Sequence, residues 1–471
     1  MKIYKEKLRN SLGQPSRSDF VQFEFVVIYG RRRVGKTALI NQFIEDKKAI
    51  YFMGVESNAK QNLENFGKNI MEFGTGIPTE AAFLSFQAAL EYVFQLAEKE
   101  RLILAIDEYP YVARSSKSLA STLQLLIDKY KDNSKLMLIL CGSSMSYMED
   151  HVLAYKAPLY GRRTAQMKIL PFDFADTCRY FKNFSPENKA LIYGIVGGTP
   201  QYLLQIDDGL SVEDNIKNTF LNPTSSLFEE PENLLKQEVR EPALYNAIIT
   251  AIATGASRMA EISTKVGEDT SVCATYLKNL MALGLIQKET PYGEKSSRKS
   301  IYTIGDNMFR FWYRFVPENN SIISRGATEL AYRRIEPYLS DYMGKVFEEI
   351  CKQYLWKLLL NGESPVEFKE LGRWWGTDSS TRSQADIDII GEQDKDTALF
   401  CECKWTNEKV DVGVMETLIR RSQLFHYHNV YFYLFAKSGF TKGCVDKADE
   451  LGNVMLVKYG DMTQCCQEGI E

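Results

Sequence analysis

Residues 25–46 read Phe25-Val-Val-Ile-Tyr29-Gly30-Arg-Arg-Arg-Val-Gly35-Lys36-Thr37-Ala-Leu-Ile-Asn-Gln-Phe-Ile-Glu-Asp46, and this run decides the fold. A β-rich stretch, a G-x-x-x-x-G-K-T loop and a helix-like segment follow one another directly. In that context the backbone N–H groups of Gly30, Arg31, Arg32, Arg33, Val34 and Gly35 close around phosphate oxygens, and the helix that opens through Ala38 adds its N-terminal dipole. Lys36 reaches the β- and γ-phosphates, and the Thr37 hydroxyl is placed to bind Mg2+.

Outward from this loop, β-rich runs recur at 49–53, 102–106, 136–140 and 166–170, separated by helix-like stretches at 36–46, 61–73, 80–99 and 118–131. Apolar strands alternating with helices predict an α/β fold around a parallel sheet covered on both faces. The third run ends in Asp107-Glu108, which places Asp107 beside the Mg2+ shell and Glu108 near the γ-phosphate, where it polarises the attacking water. The fourth ends in Cys141-Gly142-Ser143-Ser144; Ser143 there either contacts the γ-phosphate or caps a helix. Arg162 and Arg163 precede the last core strand, as a finger acting in cis or in trans or as a solvated pair.

Composition sets the class. The chain has 471 residues, 45% hydrophobic and 25% charged, which excludes a disordered, collagen-like or disulfide-stapled protein. Nine scattered cysteines fit a reducing cytoplasmic setting. No apolar run approaches the ~20 residues of a membrane span, so no membrane partner is expected. The formal charge of −4 conceals a split: residues 341–471 carry 15 basic and 22 acidic side chains, and residues 1–340 are net basic.

Six regions follow from the patterning: a polar tail at 1–22, the phosphate-binding core at 23–171, helices at 172–240, a compact unit at 241–305, a Tyr/Phe/Arg-rich connector at 306–340 and an α/β segment at 341–471, with no internal repeat. The unit at 241–305 reads as three short helices and a hairpin and resembles a winged helix-turn-helix. Thr270 or Ser271 caps its second visible helix, and Leu285–Glu289 pairs with Ser300–Ile304. A DNA-binding reading puts Ser271, Ala274 and Lys278 in the major groove and Lys295, Arg298 and Lys299 on phosphates; packing on the nucleotide domain is the alternative.

In the last segment Asp388 is followed fourteen residues later by Glu402-x-Lys404, the PD-(D/E)xK arrangement. Strand alternation puts Asp386 with Asp388 on one face and Glu402 with Lys404 on one face. The two strand carboxylates Asp388 and Glu402, completed by Glu348 from a preceding helix, make a candidate Mg2+ site, with Lys404 positioning the attacking hydroxide. Salt bridges in which Lys404 merely neutralises Glu402 are the plain alternative.

The strings YGRRRVGKT, AIDEYPY, CGSS, PLYGRRT, LPF and GGTPQYL, in this order, resemble the prokaryotic archaeal-type ATPases of the STAND branch of AAA-like P-loop NTPases. The resemblance implies ATP and Mg2+ as ligands, a helical lid at 172–240, and approach of Gly198 and Pro200 to the nucleotide. GRWWG, DIDIIG and CECKW resemble the restriction-endonuclease-like domain of uncharacterised function that ends this same family. Together they imply an ATP-hydrolysing protein, possible as a homo-oligomer, whose nucleotide state controls a DNA-directed nuclease-like domain. The alternative is an ATP-gated signalling or transcriptional switch whose C-terminal domain cuts nothing.

Overall fold

The structure is a computed structural model that describes residues 22–77, 83–294, 299–378 and 381–464. The chain divides into two compact units, 1–171 and 172–471.

The first unit is built on five strands: β1 (Glu24–Tyr29), β2 (Ala49–Met53), β3 (Leu102–Asp107), β4 (Leu136–Gly142) and β5 (Ala165–Lys168). They lie in the order β2-β3-β4-β1-β5, all parallel. Alternation sorts the side chains between two faces. Phe25, Val27, Ile50, Phe52, Leu104 and Leu138 pack with helices α2 (Ala59–Thr75), α3 (Phe86–Lys99) and α5 (Leu119–Tyr130). Val26, Ile28, Ile103, Ala105, Ile139 and Cys141 pack with Ile40 of α1 (Lys36–Ile44) on the other face. A short α4 (Tyr109–Ser115) follows β3 directly. Helix α3 starts at Phe86, later than its predicted stretch, because the Ser85 side chain accepts the Ala88 N–H and caps it; residues 80–82 lie outside the described ones.

In the second unit, helices α6 (Phe174–Tyr180) and α7 (Pro186–Val196) share one apolar core with α12 (Leu339–Leu360) and the C-terminal sheet: Phe174 and Tyr193 join Met343, Phe347, Cys351, Leu399 and Cys401. The Tyr342 hydroxyl donates to the Gly194 carbonyl at 2.6 Å. Three helices follow, α8 (Pro242–Ala253), α9 (Met259–Val266) and α10 (Thr270–Ala282), and then a two-stranded hairpin of β6 (Ile286–Glu289) and β7 (Ile301–Ile304). The residue at the N-cap of α10 is Asp269, in place of the expected Thr270 or Ser271. Helix α11 (Asn307–Ile323) is the core of the connector, burying Phe309, Phe311, Trp312 and Phe315.

The hairpin does not stand free. The Tyr292 N–H donates to the Arg373 carbonyl at 2.8 Å, and its hydroxyl accepts the Glu392 N–H at 3.2 Å. Its ring occupies the space left by the missing side chain of Gly372, where a Cβ would lie 2.5 Å from Tyr292 Cδ2. Lys299 is bonded to Glu294 at 2.7 Å on the exposed surface; Lys295 and Arg298 lie outside the described residues.

The C-terminal sheet runs β12-β11-β10-β9-β8, with β8 (Gly372–Asp378), β9 (Ser383–Glu392) and β10 (Thr397–Lys404) antiparallel, and β11 (Asn429–Ala436) and β12 (Val454–Lys458) parallel to β10. Helix α12 covers one face; α13 (Val412–Ser422) and α14 (Lys442–Leu451) cover the other.

Gly198 has a packing reason within this unit. The Phe172 N–H donates to its carbonyl at 2.8 Å, and a Cβ on Gly198 would fall 1.8 Å from the Phe172 carbonyl oxygen. Gly198→Ala is therefore expected to destabilise the chain by about 3 kcal/mol, at the upper end of overpacking costs, read as a lower urea midpoint at unchanged slope.

Candidate functional site

The loop of residues 30–35 closes tightly against the end of the sheet. A Cβ on Gly30 would lie 2.3 Å from the Ile169 carbonyl oxygen, so only glycine fits there. Gly35 takes a left-handed conformation (φ 87°) as the N-cap of α1. Val34 and Arg31 are buried, the Arg32 guanidinium donates to the Tyr111 hydroxyl at 2.6 Å, Arg33 is left-handed (φ 73°), and Ala38 is exposed on the first turn of α1. The Lys36 ammonium is folded back onto its own loop, donating to the carbonyls of Gly30 (2.8 Å) and Arg31 (2.9 Å).

The ends of β3 and β4 supply the rest. Asp107 is fully buried, and its carboxylate collects three protein donors. Oδ2 accepts the Thr37 hydroxyl at 2.6 Å and the Tyr51 hydroxyl at 3.0 Å; Oδ1 accepts the Glu108 N–H at 2.9 Å. The Cys141 thiol lies near the same carboxylate and is pushed well above the usual thiol range by burial and by Asp107. Burial, reinforced by Asp107, likewise raises the Tyr51 phenol far above its ordinary value, so it remains a donor at any working pH. Glu108 takes a left-handed conformation (φ 49°), and its Oε2 accepts the Ser143 hydroxyl at 2.8 Å. A hydroxyl and a carboxylate in direct contact, Thr37 and Asp107, are the hard oxygen donors Mg2+ takes, so these residues fit the ion.

Arg162 and Arg163 are placed at the other end of the sheet. Thr164 pairs with Phe25 at the start of β1, while the loop follows the end of β1. At ~3.3 Å per residue, roughly 16 Å separates the two levels. Arg162 is bonded to Asp128 of α5 at 2.6 and 2.9 Å. The expectation of a finger acting in cis is therefore corrected for both residues. Arg163 lies over the Tyr160 ring at 5.7 Å. Gly198 and Pro200 belong to the second unit, where Pro200 opens a short helix.

In the C-terminal domain Asp388, Glu402 and Lys404 come to one end of the sheet. Lys404 donates to Glu402 at 2.5 Å, and Asp388 Oδ2 accepts the Cys403 N–H at 2.9 Å. Glu348 is bonded to Lys345 at 2.8 and 2.9 Å. Burial, with Asp388 beside it, raises Glu348 above the usual carboxylate range, and the same two causes push Glu402 up to about 7 against the pull of Lys404. Among the described residues no three His, Cys, Asp or Glu side chains are grouped closely enough to hold a metal ion. This corrects the expected three-carboxylate site: each candidate ligand already has a protein partner. Asp386 is engaged elsewhere, by Arg373 at 2.7 Å and Arg421 at 3.6 Å. The alternation of β9 is also broken, since Gly372 pairs with Ile390 but Trp374 with Ile387.

Sequence reasoning missed Tyr51, Tyr111 and the Arg373–Asp386–Arg421 group. Alternation puts Tyr51 on the sheet face of Ala49 and Asp107 on that of Ala105, but it does not show that the hydroxyl reaches the carboxylate.

An acid whose carboxyl is raised in the folded chain holds its proton more tightly folded than unfolded, so stability is present below the usual 4.5 and is lost as pH rises through about 7. Glu402→Gln, which mimics the protonated form, is expected to melt about 2–4 °C above the parent at pH 8. The gap should close toward pH 5; a constant gap would place the effect elsewhere.

Comparison with known proteins agrees with the first unit. A family described as an ATPase domain predominantly from Archaea matches residues 18–206, and a family of archaeal and bacterial proteins of unknown function matches residues 312–414. An uncharacterized protein of Methanocaldococcus jannaschii is 35% identical over 410 residues, 86% of this chain and 89% of that one. Among solved structures, a Walker-type ATPase of Pyrococcus abyssi is similar with a TM-score of 0.48 and 20% identity, covering 66% of this chain and 95% of that one. Cdc6p of Pyrobaculum aerophilum follows at a TM-score of 0.33 and 14% identity, covering 70% of this chain and 94% of that one. No helix among the described residues is long and apolar enough to cross a membrane.

Proposed function

We propose, from the premise that the chain belongs to the family of its uncharacterized Methanocaldococcus relative and carries at residues 18–206 an ATPase domain of a kind found predominantly in Archaea, that it binds ATP with Mg2+ and hydrolyses it as a switch. The observation that carries this reading is the contact of Thr37, Asp107, Glu108 and Ser143 around the loop that holds Lys36. When bound between Thr37 and Asp107, Mg2+ spreads the charge of the phosphate oxygens. Lys36 exchanges its two carbonyl partners for β- and γ-phosphate oxygens. Glu108 takes the proton side of the attacking water, with Ser143 fixing the orientation of its carboxylate. Arg163, which has no route to its own loop, serves a neighbouring copy, so the active form is a homo-oligomer.

Lys36→Ala is expected to weaken ATP binding roughly 10- to 100-fold, the scale of a charged hydrogen bond. Glu108→Gln should keep binding and lose about 10²–10⁴ in kcat. Equilibrium binding of a fluorescent ATP analogue beside a phosphate-release assay separates the two; full turnover in Glu108→Gln would place the base elsewhere.

The nucleotide state is read out by the C-terminal domain, as a DNA-directed nuclease-like effector built on Asp388, Glu402 and Lys404. What supports this is their convergence at one sheet end, with Glu402 raised by burial and by the Asp388 carboxylate beside it. The donors as they stand do not make a metal site, so no cleavage step is derived. A second reading, a non-cleaving interaction domain, is favoured by the Lys404–Glu402 and Asp388–Cys403 bonds and by the hairpin committed to β8. Incubation of the full chain with duplex DNA, ATP and Mg2+ or Mn2+ decides between them. Cutting that disappears in Asp388→Ala and Lys404→Ala, both with parental melting curves, supports the nuclease; no cutting under any of these conditions leaves the interaction domain.

A further inference from the structure

We infer that Tyr51 is a positioning residue for the metal-side carboxylate, fixing Asp107 so that the Thr37–Asp107 pair can take Mg2+; this rests on the nucleotide-binding reading above. Three neighbouring strands contribute to one polar island on the face covered by α1: Tyr51 from β2, Asp107 from β3 and Cys141 from β4. Strands β2 and β3 run in register, with Tyr51 opposite Ala105 and Met53 opposite Asp107. The tyrosine thus starts one alternation step before the carboxylate, and its long side chain spans the difference to put its hydroxyl 3.0 Å from Oδ2.

That oxygen also accepts the Thr37 hydroxyl, at 2.6 Å. A threonine hydroxyl has one proton and two lone pairs, so donating to Asp107 leaves oxygen lone pairs for a cation. The Glu108 N–H holds Oδ1 at 2.9 Å, but the torsion about the terminal bond is broad and roughly two-fold, so with Thr37 as the sole donor on Oδ2 that oxygen keeps some freedom to move. The second donor comes from β2, the edge strand beside β3, and narrows that freedom. The Tyr51 backbone is itself held from α2, whose Asn69 side chain donates to the Tyr51 carbonyl at 2.9 Å. Hydrogen bonds to groups that hold a metal are typically worth 10- to 100-fold in metal affinity.

The test uses the full chain and a fluorescent ATP analogue, titrated with MgCl2 from an EDTA-buffered start. In Tyr51→Phe the ring stays and only the hydroxyl goes. The Mg2+ concentration at half-effect is expected to rise about tenfold, while nucleotide affinity in EDTA is unchanged. Tyr51→Leu, which also removes the ring, should show the same Mg2+ shift together with a lower melting temperature. A parental Mg2+ midpoint in Tyr51→Phe overturns the proposal, as does an equal loss of affinity with and without Mg2+, which would make Tyr51 a packing residue. A parent chain that takes up no nucleotide overturns the nucleotide-binding reading itself, and that is seen before any variant is measured.

Discussion

A carboxylate buried without solvent is costly unless every lone pair finds a donor, and the first unit is arranged around one such group, Asp107. Its three protein donors come from α1, β2 and the residue that follows it in the chain. Strand β4 lies between β1 and β3, so the loop and the carboxylate can meet only past the end of β4. Small residues make that passage: a Cβ on Gly142 would lie 2.8 Å from Pro110 Cδ. Gly54 does the same on the other side, where a Cβ would lie 2.8 Å from the Glu108 carbonyl oxygen. The left-handed turn at Glu108 is held between these two glycines, and the catalytic geometry follows from the packing of neighbouring backbones.

The loop, the strand positions and the Asp107-Glu108 pair were legible because each is local: a glycine spacing, an apolar run, and acids at its end. Strand order is not local, and it decides what Arg162 and Arg163 can reach. From the sequence the two arginines stand just before a core strand; from the parallel register of β5 with β1 they stand at the end of the sheet away from the loop. Tyr51 was hidden for a different reason. Tyrosine in an apolar strand satisfies a core reading, and nothing in the run AIYFM distinguishes a ring packed on Ile40 from a hydroxyl aimed at a carboxylate.

The helices after Pro171 show the same limit in packing. Their apolar residues are evident, but periodicity does not name a partner. The partner in the structure is α12, with Phe174, Tyr193, Phe347 and Tyr459 forming one aromatic group. Helix α12 in turn carries Glu348, so residues 170 positions apart in sequence contribute to the support of one carboxylate. The residues expected to form a lid are thus structurally committed to the C-terminal domain.

The acidic excess of residues 341–471 bears on how the hairpin is used. Phosphate binding depends on several cations acting together, and the described hairpin keeps few available, with Lys299 bonded to Glu294. Tyr292 is invested instead in the edge of the C-terminal sheet, where an unpaired strand would otherwise expose its backbone groups. It bonds to the carbonyl of Arg373, whose guanidinium holds Asp386 and stands close enough to Glu348 and Asp388 to be raised by them. A displacement of the hairpin therefore moves the strand that carries Arg373. The same strand change alters the positive charge facing the Glu348 carboxylate, which burial and its acidic neighbour raise and Arg373 pulls back down.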